Sequence, residues 1–366
     1  MPPIRLLCCL VILASITGCT GDSGPNTTAP TVGERESAAI KALQAAGAVI
    51  KTDNAGSVTD IDLHKLTLSA ETLEFLPDLK SIRVLNLADS SFNDESLPVL
   101  ERVSPTLANL DLRGCQISDK AAAVIARFTG LRALRFNGKN GQTNISDDGV
   151  KALAACTALK VLALDELTFV GTDGIAALTG LTNLEELYVG GTIVDDDSCS
   201  VVAGFPKLKK LRLARNQVSD IALETLSACT LLEELDLSED SLITNSGMVH
   251  LAKLTGLRKL NLWRVQISDE GVLMLGSLTQ LEWLNLDNTK LSDAGLPALK
   301  DMTKLNFLHL GSTQITADGA SLLFHLTSLK DLKITRSAMG SSNAAVAQLK
   351  NHLPDTIIQT EYLDSE

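Results

Sequence analysis

Along most of this chain the hydrophobic residues fall into one recurring motif. It runs Leu-x-x-Leu-x-Leu, with Ile, Val or Phe in some slots, from Ile82, Leu85 and Leu87 to Leu329, Leu332 and Ile334. A degenerate first copy is Val58, Ile61 and Leu63, which makes twelve copies. Successive copies start 24 or 25 residues apart, with a single step of 28 between Leu131 and Leu159. Inside the motif apolar and polar positions alternate with period two, the mark of a short strand with one face buried. A polar turn follows, often Asp-x-Gly or a near variant: Asp147-Asp148-Gly149, Thr172-Asp173-Gly174, Asp269-Glu270-Gly271, Ala317-Asp318-Gly319. Ser292 or Asp293 in one such turn can cap a helix by accepting backbone N–H groups. Leu296, Leu299 and Met302 then recur at spacing three, the inner face of a short helix.

One such unit cannot bury its apolar face alone; stacking buries it against both neighbours. The pattern therefore predicts a solenoid, with a parallel sheet on one side and short helices on the other. Residues 34–57 read as an N-terminal cap, with a helix over 34–46 stopped by Gly47. The repeats occupy 58–340. Residues 341–366 read as a C-terminal cap: a helix over 344–353 ended by Pro354, an edge strand at Ile357-Ile358, and an acidic tail from Gln359.

The repeat resembles the leucine-rich-repeat family, in the LxxLxLxxTxIxDxGLxxLxxL form found in bacterial envelope proteins. The resemblance covers roughly residues 58–340 and implies an α/β horseshoe of about twelve repeats with its parallel sheet on the concave face. It also implies a binding role. A fold alone does not name the ligand.

The N-terminus carries a second resemblance. Arg5 precedes an apolar run from Leu6 to Ile16, too short to cross a bilayer and suited to a signal segment. It ends in Ile16-Thr17-Gly18-Cys19, which resembles the lipobox of bacterial lipoproteins. That implies a signal peptide over 1–18, cleavage after Gly18, lipidation of Cys19, and an exported chain held to a membrane by its lipid alone. Thr20 after the Cys resembles outer-membrane sorting if the host is Gram-negative. The plainer reading is a signal peptide with an incidental Cys. Residues 19–33, rich in Gly, Pro, Ser and Thr, read as a flexible tether. Gly21-Asp22-Ser23-Gly24 looks like a serine-protease nucleophile motif, but it sits in this tether without recognisable partners.

Composition narrows the function. Hydrophobic residues make up 45% but aromatics only 3%, so the core must be aliphatic. The formal charge of −12 is a poor footprint for nucleic acid, so none is expected as a partner. Cys115, Cys156, Cys199 and Cys229 have no CxxC spacing and read as core thiols. His64, His250, His309, His325 and His352 show no catalytic spacing with Ser, Cys or carboxylate. No enzyme activity, metal or cofactor is expected. Asp195-Asp196-Asp197 suits a helix N-terminus better than a metal.

The strand positions that point away from the core are the natural contact points, namely positions 3, 5, 7 and 8 of LxxLxLxx. Trp263, Trp283 and Phe307 all fall there, in three consecutive repeats, and Tyr188 three repeats before Trp263. Asn261, Asn285, Asp287 and His309 surround them. Aromatics with polar neighbours are the usual make-up of binding hot spots. Trp263, Trp283, Phe307 and His309 are therefore the expected main contact patch, for a protein or peptide, or for a glycan. The plainer alternative is that these rings only shield the sheet. Lys210, Arg212 and Arg215 face Glu234, Asp236 and Glu239, then Lys259 and Arg264. Such alternation predicts cross-strand ion pairs, or else a charged surface that selects a partner. The polar insertion over 138–144 reads as a tolerated rim loop that could also carry function.

Overall fold

The computed structural model describes residues 31–103 and 105–361. The signal segment, Cys19 with its lipobox and the Gly21–Gly24 stretch lie outside the described residues. Fourteen strands form one sheet in strict sequence order. β1 (Val49–Thr52) pairs antiparallel with β2 (Val58–Asp62), and every later pairing is parallel. Then come β3 (Val84–Asn86), β4 (Asn109–Asp111), β5 (Ala133–Asn137), β6 (Val161–Asp165), β7 (Glu186–Tyr188) and β8 (Lys210–Arg212). β9 (Glu234–Asp236), β10 (Lys259–Asn261), β11 (Trp283–Asn285), β12 (Phe307–His309), β13 (Asp331–Lys333) and β14 (Ile357–Gln359) complete the sheet. Short α- and 3₁₀-helices line the other side. Among the described residues no helix is long and apolar enough to cross a membrane.

One repeat shows why the sequence folds this way. Leu281, Leu284, Leu286, Leu291, Leu296, Leu299 and Met302 are all fully buried. At the end of β11 the side-chain oxygen of Asn285 accepts the backbone N–H of Asp287 at 2.9 Å, which turns the chain. Asn288 then adopts the left-handed conformation, φ 58°, and donates its N–H to Gly311 O at 2.9 Å. The inter-repeat ladder thus continues past the strand. The Thr289 hydroxyl donates to Leu286 O at 2.8 Å and satisfies a buried carbonyl.

The recurring Asp-x-Gly also has a physical reason. Ser292 caps its helix, accepting the N–H of Ala294. Asp269 of the preceding repeat accepts both the N–H of Ser292 at 2.7 Å and its hydroxyl at 2.6 Å. Asp293 does the same for Thr316. A Cβ on Gly295 would lie 2.6 Å from Asp269 Oδ1 and 2.5 Å from a Leu291 methyl. The glycine is required because the previous repeat's carboxylate occupies the space. Gly295→Ala is expected to lower stability by about 1–3 kcal/mol, while Gly180→Ala, with nothing within 4 Å, should stay within about 0.5 kcal/mol. Urea unfolding of the two variants checks this; equal midpoints would contradict it.

The acidic triplet serves the same ladder. Asp195 caps a helix and accepts from Ser198, and Asp196 accepts both the N–H and the hydroxyl of Ser219. Cys115, Cys156, Cys199 and Cys229 are free buried thiols, and burial pushes the Cys115 thiol up to about 12 and those of Cys156 and Cys229 up to about 11.

The ends depart from the sequence reading. Helix α1 spans Val32–Ala45, because Thr31 and Glu34 form a capping box inside what reads as the tether. The N-terminal cap is also more than helical. β1 folds back on β2 through a turn in which Asp53 accepts the N–H groups of Ala55 and Ser57 and Gly56 takes φ 83°. At the far end a helix over Asn343–His352 packs on the last repeat, and Gln359 belongs to β14, opposite Lys333, and not to a frayed tail. The insertion over 138–144 is tied down: Asn140 donates to Gly114 O at 2.8 Å and Thr143 to Cys115 O at 2.8 Å.

Candidate functional site

Each three-residue strand from β7 to β13 buries its central Leu and turns its two flanking side chains to the open face of the sheet. In-register pairing lines these flanking residues up in two rows. From β7 to β13 the first row reads Glu186, Lys210, Glu234, Lys259, Trp283, Phe307, Asp331. The second reads Tyr188, Arg212, Asp236, Asn261, Asn285, His309, Lys333. Two chemistries result, charged on β7 to β9 and aromatic on β11 and β12.

In the charged part the basic residues of one repeat each reach acids on both sides. Lys210 lies 3.1 Å from Glu234 and 3.6 Å from Glu186. Arg212 lies 3.3 Å from Asp236 and 3.6 Å from Asp165. Arg215 contacts Glu239 at 3.9 Å and also pairs with Glu166, two repeats away. Gly191 sits between them with φ 69°, and a Cβ there would meet Glu166 Oε2 at 2.6 Å. Arg264 closes the row on Glu239 at 3.0 Å. The cross-strand ion pairs expected from the alternation are present. Lys259, grouped with these charges in the sequence, joins the aromatics instead.

In the aromatic part Trp283 and Phe307 stack with centroids 4.7 Å apart and planes 6° apart. Strands of fixed spacing hold the two rings nearly parallel and within the centroid range of stacked aromatic pairs. The Lys259 ammonium stands 4.9 Å from the Trp283 centroid, and that of Lys333 5.6 Å from Phe307. Both rings remain partly exposed. Tyr188 and Trp283 border one depression of about 350 Å³ on the sheet, floored by Leu211 and Leu235 and walled by Lys210, Arg212, Glu234, Asp236, Lys259 and Asn261.

The other sequence-predicted residues have different places. Trp263 lies beyond the end of β10, its N–H bonded to Asn261 Oδ1 at 3.2 Å and its ring 5.2 Å from the Arg264 guanidinium. It does not line the depression. The Asn261 and Asn285 oxygens serve turns, so each contributes only its amide nitrogen to the face. Asp287 is 4% exposed and its carboxylate lies 3.8 Å from His309 Nε2, which makes it a support, not a contact. His309 packs edge-on against Phe307 at 6.4 Å. Burial holds its pKa below the ordinary value, against the pull of Asp287 and Asp331 and with the help of Lys333. The Tyr188 hydroxyl donates to Glu186 at 2.8 Å. Sequence reasoning missed Lys333. Its signal was present, an outward-facing cation one strand beyond Phe307.

Asp240 is a separate feature under this face. It is fully buried, its Oδ1 accepts the N–H of Asn216 at 2.7 Å, and its Oδ2 has no partner. Burial pushes its pKa up to about 8, opposed by the Asn216 N–H and reinforced by Asp236 and Glu239.

Known proteins share this architecture. Residues 103–126 and 301–324 match the family model described as the leucine-rich repeat. An internalin from Listeria monocytogenes superposes with a TM-score of 0.62 and 21% identity, over 90% of this chain and 95% of its own. TLR13, solved in complex with an RNA, superposes with a TM-score of 0.51 and 19% identity, over 82% of this chain and 50% of its own. Tubulin-folding cofactor E of Arabidopsis thaliana is 27% identical over 223 residues, 56% of this chain, and the match spans only 36% of that relative. The twelve copies of the motif, the in-register parallel sheet and these likenesses agree: the chain is a leucine-rich-repeat protein.

Proposed function

We propose that this protein is a non-enzymatic binding module that holds a protein partner on the open face of its sheet. The observation that carries this is the Trp283–Phe307 stack, two large rings left partly exposed beside a depression lined with charge. A ring pair that only shielded the sheet would not need a cation over each outer face. The four described thiols suit packing and not nucleophilic chemistry, since burial raises all of them. The net charge of −12 favours a protein over a polyanion as partner. The complex with RNA belongs to TLR13 and is not carried over to this chain.

The lipobox-like Ile16-Thr17-Gly18-Cys19 further supports export and attachment through a lipid on Cys19, in a bacterial envelope. Metabolic labelling with a radioactive fatty acid tests the anchor: label in the wild type and none in Cys19→Ala is the expected result, and equal labelling would refute it.

The function is tested by crosslinking pull-down from native envelopes, comparing wild type with a folded Trp283→Ala/Phe307→Ala variant. A partner held by the first and lost by the second is the expected outcome. Equal capture would move the site elsewhere. A structural role through self-association predicts instead oligomers at micromolar concentration in sedimentation, where the binding module predicts monomers.

A further inference from the structure

From β7 to β13 the ion pairs of the sheet leave two cations unaccounted for. Lys210, Arg212 and Arg215 each lie between acids of neighbouring repeats, so their charge is neutralised within the fold. Among the described residues Lys259 and Lys333 form no ion pair. Their ammonium groups rest instead on the outer faces of the stacked rings, Lys259 on Trp283 and Lys333 on Phe307. The order across the sheet is thus cation, ring, ring, cation, on β10, β11, β12 and β13. Asp331 shares this region beyond Phe307, but its Oδ1 is buried and not presented to solvent.

This order has a length. β10 and β13 are three strand spacings apart, which places the two cations about 14 Å from each other. An extended peptide rises about 3.3 Å per residue, so side chains about four residues apart span that distance. An apolar side chain between them would lie on the rings, and a carboxylate at either end would meet an ammonium that no acid of the fold satisfies. Single-stranded nucleic acid would also stack on the rings. Its continuous phosphates would, however, outnumber the two cations that the acids of β7 to β13 leave unpaired.

We propose that the Lys259–Trp283–Phe307–Lys333 cluster recognises an extended segment of the partner protein in which two acidic residues, about four apart, bracket apolar ones. This rests on the open-face binding reading and names the chemistry of its partner.

The test uses the full-length chain carrying Trp263→Phe, so that Trp283 is the sole tryptophan reporter. The probes are the peptide Gly-Asp-Leu-Val-Leu-Asp-Gly, the same peptide with Lys for both Asp, and a single-stranded oligothymidylate. Fluorescence titration at low salt is expected to show the acidic peptide binding at least about tenfold more tightly than the basic one, with the preference shrinking as salt is added. Lys259→Glu/Lys333→Glu should invert the order, and this gain of the basic peptide guards against a merely unfolded variant. An unchanged order in that variant, or tighter binding of the oligothymidylate, overturns the proposal. Partner capture that survives Lys259→Glu/Lys333→Glu but not Trp283→Ala/Phe307→Ala overturns the acidic-segment inference alone. Capture that survives both overturns the open-face function as well.

Discussion

Asp240→Asn is expected to stabilise the folded protein, by an amount that grows with pH. Asp240 occupies the slot after the left-handed turn residue where Thr289, Thr313 and Ser337 use a hydroxyl to satisfy a buried carbonyl of their own repeat. Asn216, one repeat earlier, does so with its amide, donating to Leu213 O at 2.6 Å. A carboxylate has no hydrogen to give. It leaves Oδ2 without a partner in a site with no exposure, and it faces Asp236 and Glu239. The folded state therefore keeps the proton up to about pH 8, while the unfolded chain releases it near the ordinary value of 3.8. The folded state binds more protons throughout that window, so this group's contribution is complete below 3.8 and falls as pH rises, by about 1.4 kcal/mol per unit, until it levels off above 8. An Asn has no such dependence and can repeat the bond of Asn216. Urea unfolding of both proteins across this range checks the claim. The difference in stability should widen steadily between acid and neutral pH and become constant above about 8; parallel curves would contradict the buried, protonated carboxyl.

The second large effect concerns the stacked rings. Trp283→Ala/Phe307→Ala is expected to weaken partner binding by at least about 2 kcal/mol, roughly thirtyfold, the scale of losing a central aromatic anchor. Removing one ring also uncovers the other and strands a lysine, so the two single variants should not add. Trp263→Ala is expected to change binding little, because Trp263 stands past the end of β10 and packs on Arg264. Once the partner is isolated, calorimetric titration of the four variants decides this. A larger loss from Trp263→Ala than from the double variant would place the contact surface at the strand ends and not on the strands.

The sequence spoke clearly wherever one residue type had one physical option. A Leu at positions 1, 4 and 6 of each repeat can only point inward, so twelve strands, their parallel order and their outward-facing positions were all legible. The Trp283–Phe307 stack was legible too, since residues 24 apart in a 24-residue repeat must pair in register. What was not legible depended on where a polar atom goes. Nothing in the letters distinguishes Asn285, which turns the chain, from a free contact residue, or shows that Asp287 is buried under His309. Trp263 looked as outward-facing as Trp283, yet it stands two residues past β10, where Asn261 accepts its backbone N–H and turns the chain. The β1 hairpin was missed because its signal, a short β-branched run before Asp53-Asn54-Ala55-Gly56, is weaker than the helix beside it. The Asp-x-Gly turn was recognised as a turn, but its reason, a carboxylate arriving from the previous repeat, appears only when repeats are stacked.

The most direct test of the open-face account is site-specific photocrosslinking in intact cells. A photoreactive phenylalanine analogue would replace either Phe307, on the sheet face, or Ile221, 63% exposed on a helix of the opposite side. The account predicts a discrete adduct with one protein from position 307 and none from position 221. An adduct from position 221 alone would contradict it and turn the sheet face into scaffold.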